Sequence, residues 1–175
     1  MTIERVHICG GAGSGKTTLA RQYAKHTGTP HYELDDVYYE DVPRRVRRPP
    51  ADRQQRIAEI VASDAWVLEG IFWQPWVRPA LERADRIVVL DIAARTRHAR
   101  VFRRHFGALL QASPKLWPTF FPTLIELTRH NHRYRRTALR ETLAVFSDYA
   151  DKVYVARTNL SAERHLELPP RGNAL

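Results

Sequence analysis

Sulfur and long apolar runs are what this chain of 175 residues has least of. It contains one Cys and one Met. A lone Cys excludes an internal disulfide framework and suits a reducing compartment, so a cytoplasmic protein is expected. No apolar run approaches the roughly 20 residues of a membrane-spanning helix, and the N-terminus runs directly into a strand pattern instead of a signal peptide. Internal repeats and long low-complexity segments are missing too. The length suits one compact domain over 1–168 with a substantial core, followed by a loose Pro- and Gly-containing tail over 169–175. The eight His show no metal-ligand spacing with Cys or carboxylates. His130 and His132, two apart in a helical stretch, face apart, and no zinc site is expected.

Acidic residues are also in short supply: 19 against 28 basic ones, a net charge of +9, with Arg making up 24 of the basic residues. Clustered Arg neutralises phosphates, which invites a nucleic-acid partner. An enzyme that clamps several phosphates needs the same clusters. No helix-turn-helix, zinc finger or RNA-binding signature accompanies the charge, so a nucleic-acid partner is possible but not favoured.

The most specific pattern is Gly10-Gly11-Ala12-Gly13-Ser14-Gly15-Lys16-Thr17, which meets every fixed position of G-x-x-x-x-G-K-[ST]. The context is right: an apolar strand through Val6, Ile8 and Cys9 precedes it, and a helix-compatible run beginning Thr17-Thr18-Leu19 follows. Glycines let consecutive N–H groups point into one concavity, and the helix start adds free donors and a positive dipole end. Lys16 is expected to reach the β- and γ-phosphates of a nucleoside triphosphate, and the Thr17 hydroxyl to ligate Mg²⁺. Gly10 to Thr18 thus form the nucleotide site, with the base resting near Arg157 after the last strand. Cys9 reads as a small buried strand residue.

Strand and helix signals alternate along the rest of the chain. Strands are expected at Pro30–Leu34, ending at Asp35-Asp36; at Trp66-Val67-Leu68, ending at Glu69-Gly70; at Ile87–Leu90, ending at Asp91; and at Val153–Val155. Helices are expected at 51–63, with Ile57, Ile60 and Val61 on one face; at 76–84; at 93–106; after Pro122, with Leu139, Leu143 and Phe146 in register; and at 161–166. Val42 to Pro50, with Pro at 43, 49 and 50, is expected to hold no regular element. Short apolar strands separated by helices imply an α/β fold, a parallel sheet covered on both faces with ligand at the carboxyl ends of its strands.

That edge gathers Lys16, Thr17, Asp35, Asp36, Glu69 and Asp91. Asp35 is the candidate to orient an acceptor hydroxyl or take its proton. Glu69 is the candidate to support Mg²⁺ through water. Asp36 and Asp91 fit helix caps or solvated charges better.

These residues resemble the adenylate-kinase-like branch of P-loop kinases, in particular the small proteins labelled DNA topology modulation protein, or FlaR-like. The resemblance rests on Gly10 to Thr17, the Tyr32-Glu33-Leu34-Asp35 strand end, Trp66-Val67-Leu68-Glu69-Gly70, and Leu81 to Asp85 with the strand to Asp91. It implies a P-loop three-layer fold with five parallel strands in the order 2-3-1-4-5, an acceptor flap near 36–64 and an arginine-bearing helical lid near 95–135. It also implies ATP as the nucleotide. Glu69 stands where Asp is usual, and the segment between Asp35 and Trp66 carries no nucleoside-monophosphate signature.

In the lid helix Arg100 and Arg104 are four apart and share a face, where they are expected to close over the transferring phosphates. Arg95 and Arg97 read as solvated. A second cluster, Arg129, Arg133, Arg135, Arg136 and Arg140, follows the lid. Gly107 to Phe121 reads as a lid tip or a dimer contact, leaving monomer and homodimer both open. Tyr38, Tyr39, Phe72, Trp73 and Trp76 flank the strand-end carboxylates as packing residues or as a stacking surface for an acceptor. The favoured function is a kinase moving the γ-phosphate of MgATP to a small acceptor. An ATPase or nucleotide switch without acceptor, and an ATP-dependent nucleic-acid-binding protein, are the alternatives.

Overall fold

A computed structural model of the chain describes residues 5–111 and 137–169. The expected lid tip beyond residue 111, Arg129 to Arg136 of the second cluster, and all but the first residue of the tail lie outside the described residues. The side chains of residues 105 and 108–111 lie outside them as well.

Strand β1, Arg5–Gly10, sits at the centre. It pairs in parallel with β5, Trp66–Gly70, on one side and β6, Arg86–Leu90, on the other. Strand β2, His31–Glu33, flanks β5, and β7, Val153–Ala156, flanks β6, both in parallel. The order is β2-β5-β1-β6-β7. Numbering these five strands by themselves, that is 2-3-1-4-5, as the sequence led us to expect.

Alternate side chains enter two cores, as the period of two requires. Val6, Ile8, Val67, Val88 and Leu90 pack against Leu19, Ala20 and Tyr23 of helix α1, Lys16–Thr27, and against Ala162 of the last helix. Cys9, Trp66, Leu68, Ile87 and Val89 pack on the other face. There they meet Ile57 and Val61 of α3, Pro50–Ala62, with Ala80 and Leu81 of α4, Arg78–Arg83, and Leu139 and Phe146 of α6, Ala138–Phe146. Helix α5, Ala94–Gln111, follows β6, and α7, Asn159–His165, follows β7. Arg5 ties the start of β1 to Asp85 by its backbone N–H at 2.9 Å and its guanidinium at 3.2 and 2.7 Å.

Five local expectations are corrected. First, β2 stops at Glu33, and Leu34–Tyr38 winds into a short helix, α2, that carries Asp35 and Asp36 in its first turn. Leu34 and Val37, one turn apart, are buried, and two acids suit a helix start. Second, the segment expected to be irregular holds an antiparallel hairpin, β3 (Tyr39–Asp41) with β4 (Val46–Arg47). Pro43 lies in its turn and Pro49 and Pro50 lie beyond it, so no proline has to donate to the ladder. Third, β5 runs through Glu69 and Gly70 instead of ending before them. A Cβ on Gly70 would lie 2.6 Å from the Leu34 Cβ, so glycine permits the close packing of α2 there. Fourth, α7 begins at Asn159, two residues early, behind a Thr158–Ser161 capping box. The basic helix also runs on past Phe106, through Gly107, to Gln111.

Candidate phosphate-binding site

The loop after β1 turns by positive φ at two glycines, 76° at Gly13 and 94° at Gly15. Both positions are also sterically closed to a side chain. A Cβ on Gly13 would lie 2.5 Å from the Arg97 carbonyl oxygen, and one on Gly15 would lie 2.7 Å from Asn159 Nδ2. Ser14 N donates to the Gly11 carbonyl at 3.1 Å, closing the turn. Helix α1 starts at Lys16 with no side chain capping it, so its first N–H groups are available to a ligand.

Two side chains hold the loop from behind. Arg100 Nη1 donates to the Ser14 carbonyl at 3.1 Å, reaches the Gly13 carbonyl at 3.4 Å, and donates to Asn159 Oδ1 at 2.8 Å. Asn159 Nδ2 donates to the same Ser14 carbonyl at 2.9 Å. In a trans peptide unit the N–H opposes the C=O, so the Gly15 N–H points away from this pair. Arg100, expected to close over the transferring phosphates, instead lies behind the loop on its carbonyls. Asn159 is an addition that the residue pattern did not single out. Arg97 is a correction: expected to be solvated, it is 1 % exposed and donates through Nε to the Ile92 carbonyl at 3.1 Å. Arg104 lies one turn beyond Arg100, exposed, with no hydrogen bond or ion pair among the described residues. Arg157 is exposed just after β7, two residues before Asn159. Thr18 is exposed on the first turn of α1.

On the inner side of the loop, Lys16 and Thr17 converge on one carboxylate. Thr17 Oγ1 donates to Glu69 Oε1 at 2.5 Å, and Lys16 Nζ lies 3.3 Å from Glu69 Oε2. The second contact is an ion pair without hydrogen-bond alignment, since Oε2 lacks a directed partner. Glu69 is 2 % exposed. It shares a face with Val67, which is the α1 face, and this alternation aims it at the start of α1. Buried beneath the same loop, Ser14 Oγ has no partner among the described residues.

Asp35 is half-buried at the start of α2. Burial raises its carboxyl above the usual carboxylate range; Lys16 pulls it back, while Glu33 and Asp36 push it further up. The electrostatic influence of Lys16 on Asp35 links the start of α2 to the phosphate loop. Cys9, against the same loop, is inert: burial pushes its thiol up to about 12.

Beyond Asp35 the aromatics gather as a group. Tyr38 stacks on Phe72 at 4.7 Å, and Phe72 meets Trp76 edge-on at 5.3 Å. The guanidinium of Arg53, on α3, lies 4.7 Å from the Tyr38 ring centre and 5.8 Å from that of Trp76. Arg53 Nε and Trp76 Nε1 are both buried donors without an acceptor among the described residues. Arg48, by contrast, is used structurally, donating to the Val37 and Tyr39 carbonyls at the end of α2.

No family profile matches the chain, and no curated protein matches it. Solved structures do. The shikimate kinase of Acinetobacter baumannii, solved with shikimate, aligns over 94 % of this chain and 89 % of its own, at 21 % identity and a TM-score of 0.53. The shikimate kinase of Bacteroides thetaiotaomicron aligns over 95 % of this chain and 99 % of its own, at 16 % identity and a TM-score of 0.56. At such identities the likeness shows the fold alone: the five-stranded parallel sheet covered by helices that those two structures share.

Proposed function

We propose that this chain is an ATP-dependent kinase that transfers the γ-phosphate to a small acceptor, and that it belongs with the FlaR-like proteins of the adenylate-kinase-like branch. One observation carries the reading: a phosphate loop whose Lys16 and Thr17 both meet the buried Glu69, with Asp35 in electrostatic reach of that lysine. The fold of shikimate kinases supports it. An ATPase or nucleotide switch without an acceptor would not need a half-buried carboxylate beside an aromatic and arginine-lined flap.

The residues present fit a Mg-nucleotide. Helix α1 begins at Lys16 with no side-chain cap, Ser14 Oγ lacks a partner among the described residues, and Thr17 and Glu69 supply hard oxygen donors. Mg²⁺, when bound, would neutralise charge on the β- and γ-phosphates. In our scheme Thr17 is its direct ligand and Glu69 holds it through water. Gly10 to Thr18 wrap the phosphates with backbone N–H groups, and the Arg157 turn borders the base. Lys16 leaves Glu69 for the β- and γ-phosphate oxygens. Asp35 orients the acceptor hydroxyl and takes its proton, a role its raised affinity for protons suits. Arg100 fixes the loop from behind, and Arg104 reaches the transferring group when the lid over 95–135 closes and excludes water.

The acceptor sits over the flap of residues 36–64, between Asp35, the β3–β4 hairpin and the Tyr38–Phe72–Trp76 cluster. We place the protein in the cytoplasm, as a single kinase domain acting as monomer or homodimer. Among the described residues no helix is long and apolar enough to cross a membrane.

The test is ATP consumption with and without a panel of nucleosides, nucleoside monophosphates, acidic polyols and short nucleic acids. Stimulation by one small acceptor, with its phosphorylated product seen by mass spectrometry, is the expected outcome. Hydrolysis accelerated only by DNA or RNA overturns the reading and moves the arginines to backbone binding. Hydrolysis that nothing accelerates makes the chain a switch.

A further inference from the structure

His31 and Glu33 are two apart on β2, so their side chains leave the same face of the sheet. In the parallel pairing of β2 with β5, Glu33 stands directly opposite Glu69. Two carboxylates so opposed repel each other. The chain offsets this with one cation for each: Arg21 Nη2 is 3.1 Å from Glu33 Oε1, and Lys16 Nζ is 3.3 Å from Glu69 Oε2. Neither cation serves the imidazole. His31 Nε2 is buried and has no hydrogen-bond partner among the described residues. An imidazole nitrogen of His31 and one oxygen from each carboxylate all lie within 4.8 Å of one another.

We propose that His31, Glu33 and Glu69 form a binding site for a first-row divalent transition ion, Zn²⁺ or a close relative, beneath the phosphate loop. The donor set selects the ion. Mg²⁺ and Ca²⁺ take oxygen ligands and would leave His31 unused, whereas one imidazole nitrogen with two carboxylate oxygens suits Zn²⁺, Mn²⁺ and Co²⁺. A divalent ion takes over the two carboxylates that Lys16 and Arg21 neutralise without it, so it binds in competition with both cations. Access exists: His31 and Glu33 line a cavity of about 380 Å³ beside β2, together with Asp36 and Arg56. The ligands sit on two paired strands, so the sheet presets their spacing. The ligands share the face of β2 and β5 that carries Glu69, and the cavity opens beside α2 and α3 at the edge of the flap. The site shares Glu69 with the proposed Mg-nucleotide site, and metal binding without nucleotide tests it apart from phosphoryl transfer.

The test uses metal alone, with the full chain free of nucleotide. Equilibrium dialysis against Zn²⁺ is expected to give one ion per chain, and Co²⁺ in its place to give visible absorption from mixed nitrogen and oxygen coordination. His31→Gln should weaken binding at least about tenfold, the scale of lost metal-site contacts, and abolish the Co²⁺ spectrum. Arg21→Ala, which removes an exposed guanidinium competing for Glu33, should tighten binding severalfold. Absence of stoichiometric Zn²⁺ or Co²⁺ binding overturns the proposal. So does a His31→Gln chain with unchanged affinity and spectrum, and so does an Arg21→Ala chain that binds no tighter. Because no step involves ATP or turnover, these outcomes stand apart from the fate of the kinase reading.

Discussion

The phosphate loop and the acceptor flap lie on the same edge of one sheet but are built by opposite means. The loop is made from backbone: eight consecutive residues, two glycines at positive φ, and a helix start. Its ligands are peptide N–H groups, so its identity is written in a short local pattern. The flap is made from side chains brought together from far apart in sequence: Asp35 and Tyr38 on α2, Arg53 on α3, Phe72 and Trp76 after β5. Part of it is held by α2, a helix of five residues that exists because Leu34 packs on a glycine of β5. Binding by backbone is common to many chains and suits a phosphate. Assembled side chains are particular to this one, and in the reading proposed above they select the acceptor.

If that division is right, substitutions on the two sides separate in their effects. Lys16→Ala should cost the most, lowering turnover by about a thousandfold, on the scale of losing a group that stabilises transition-state charge. The fold, read by circular dichroism, should be kept. Substantial residual turnover would remove the loop from the chemistry. Asp35→Asn should lower turnover by about a hundredfold or more, the range of a positioned base, with ATP binding by titration calorimetry unchanged. For the parent chain, the acid limb of the pH–rate profile should lie above the ordinary Asp range, because burial raises the Asp35 carboxyl. Loss of ATP affinity in Asp35→Asn would mean that the two sides are not separable.

Smaller effects sharpen the contrast. Trp76→Phe keeps the ring and deletes the orphaned N–H, so it should raise KM for the acceptor by about tenfold, the worth of one hydrogen bond, and leave KM for ATP alone. Arg104→Lys keeps the charge but loses the planar fork. It should lower turnover more than it lowers ATP affinity, and an unchanged turnover number would take Arg104 out of the mechanism.

The layers beneath the two regions differ too. Under the loop, on the α1 face, β1 buries Val6 and Ile8; toward the flap and α6 it buries His7 and Cys9. His7 is fully buried, meets Phe146 at 6.0 Å, and its proton affinity is lowered by burial from 6.5 to about 4. The neutral imidazole is thus the form the fold accepts. Its contribution to stability is complete above pH 6.5 and is lost as pH falls from 6.5 towards 4, a span worth about 3 kcal/mol. Chemical denaturation across that window should show the loss, and His7→Phe should flatten it. A parent chain equally stable at pH 4.5 and 7 would place His7 in water.

How much of this the sequence announces follows the same division. The octet at Gly10 to Thr17, the strand before it and the helix after it are local, and they stand as expected. The sheet order is what the resemblance to P-loop kinases implies; strand count and crossover rules by themselves leave other orders open. The order of Asp35 and Glu69 along the edge is legible, but not their exact setting. Glu69 lies inside β5, because whether a strand continues for two residues depends on what its neighbours β1 and β2 pair with. Arg97 is invisible to a reading of basic helices as solvated faces, because its burial comes from the loop packed on it. Asn159 carries no pattern at all; it matters only because β7 delivers the start of α7 to the Ser14 carbonyl. The unpaired donors of Arg53 and Trp76 depend on a meeting of α3 with the segment after β5, which no spacing encodes.

The shared grip of Lys16 and Thr17 on Glu69 makes the loop a coincidence detector. A ligand that offers only negative charge can draw Lys16 away, but it strands a carboxylate that is 2 % exposed without its counterion, at a heavy cost. Mg²⁺ alone, an oxygen-seeking ion with no use for His31, must displace Lys16 from Glu69 and leaves the lysine without a counterion. Polyanion and Mg²⁺ arriving together resolve both problems in one exchange, so the phosphate side of the loop answers to the pair.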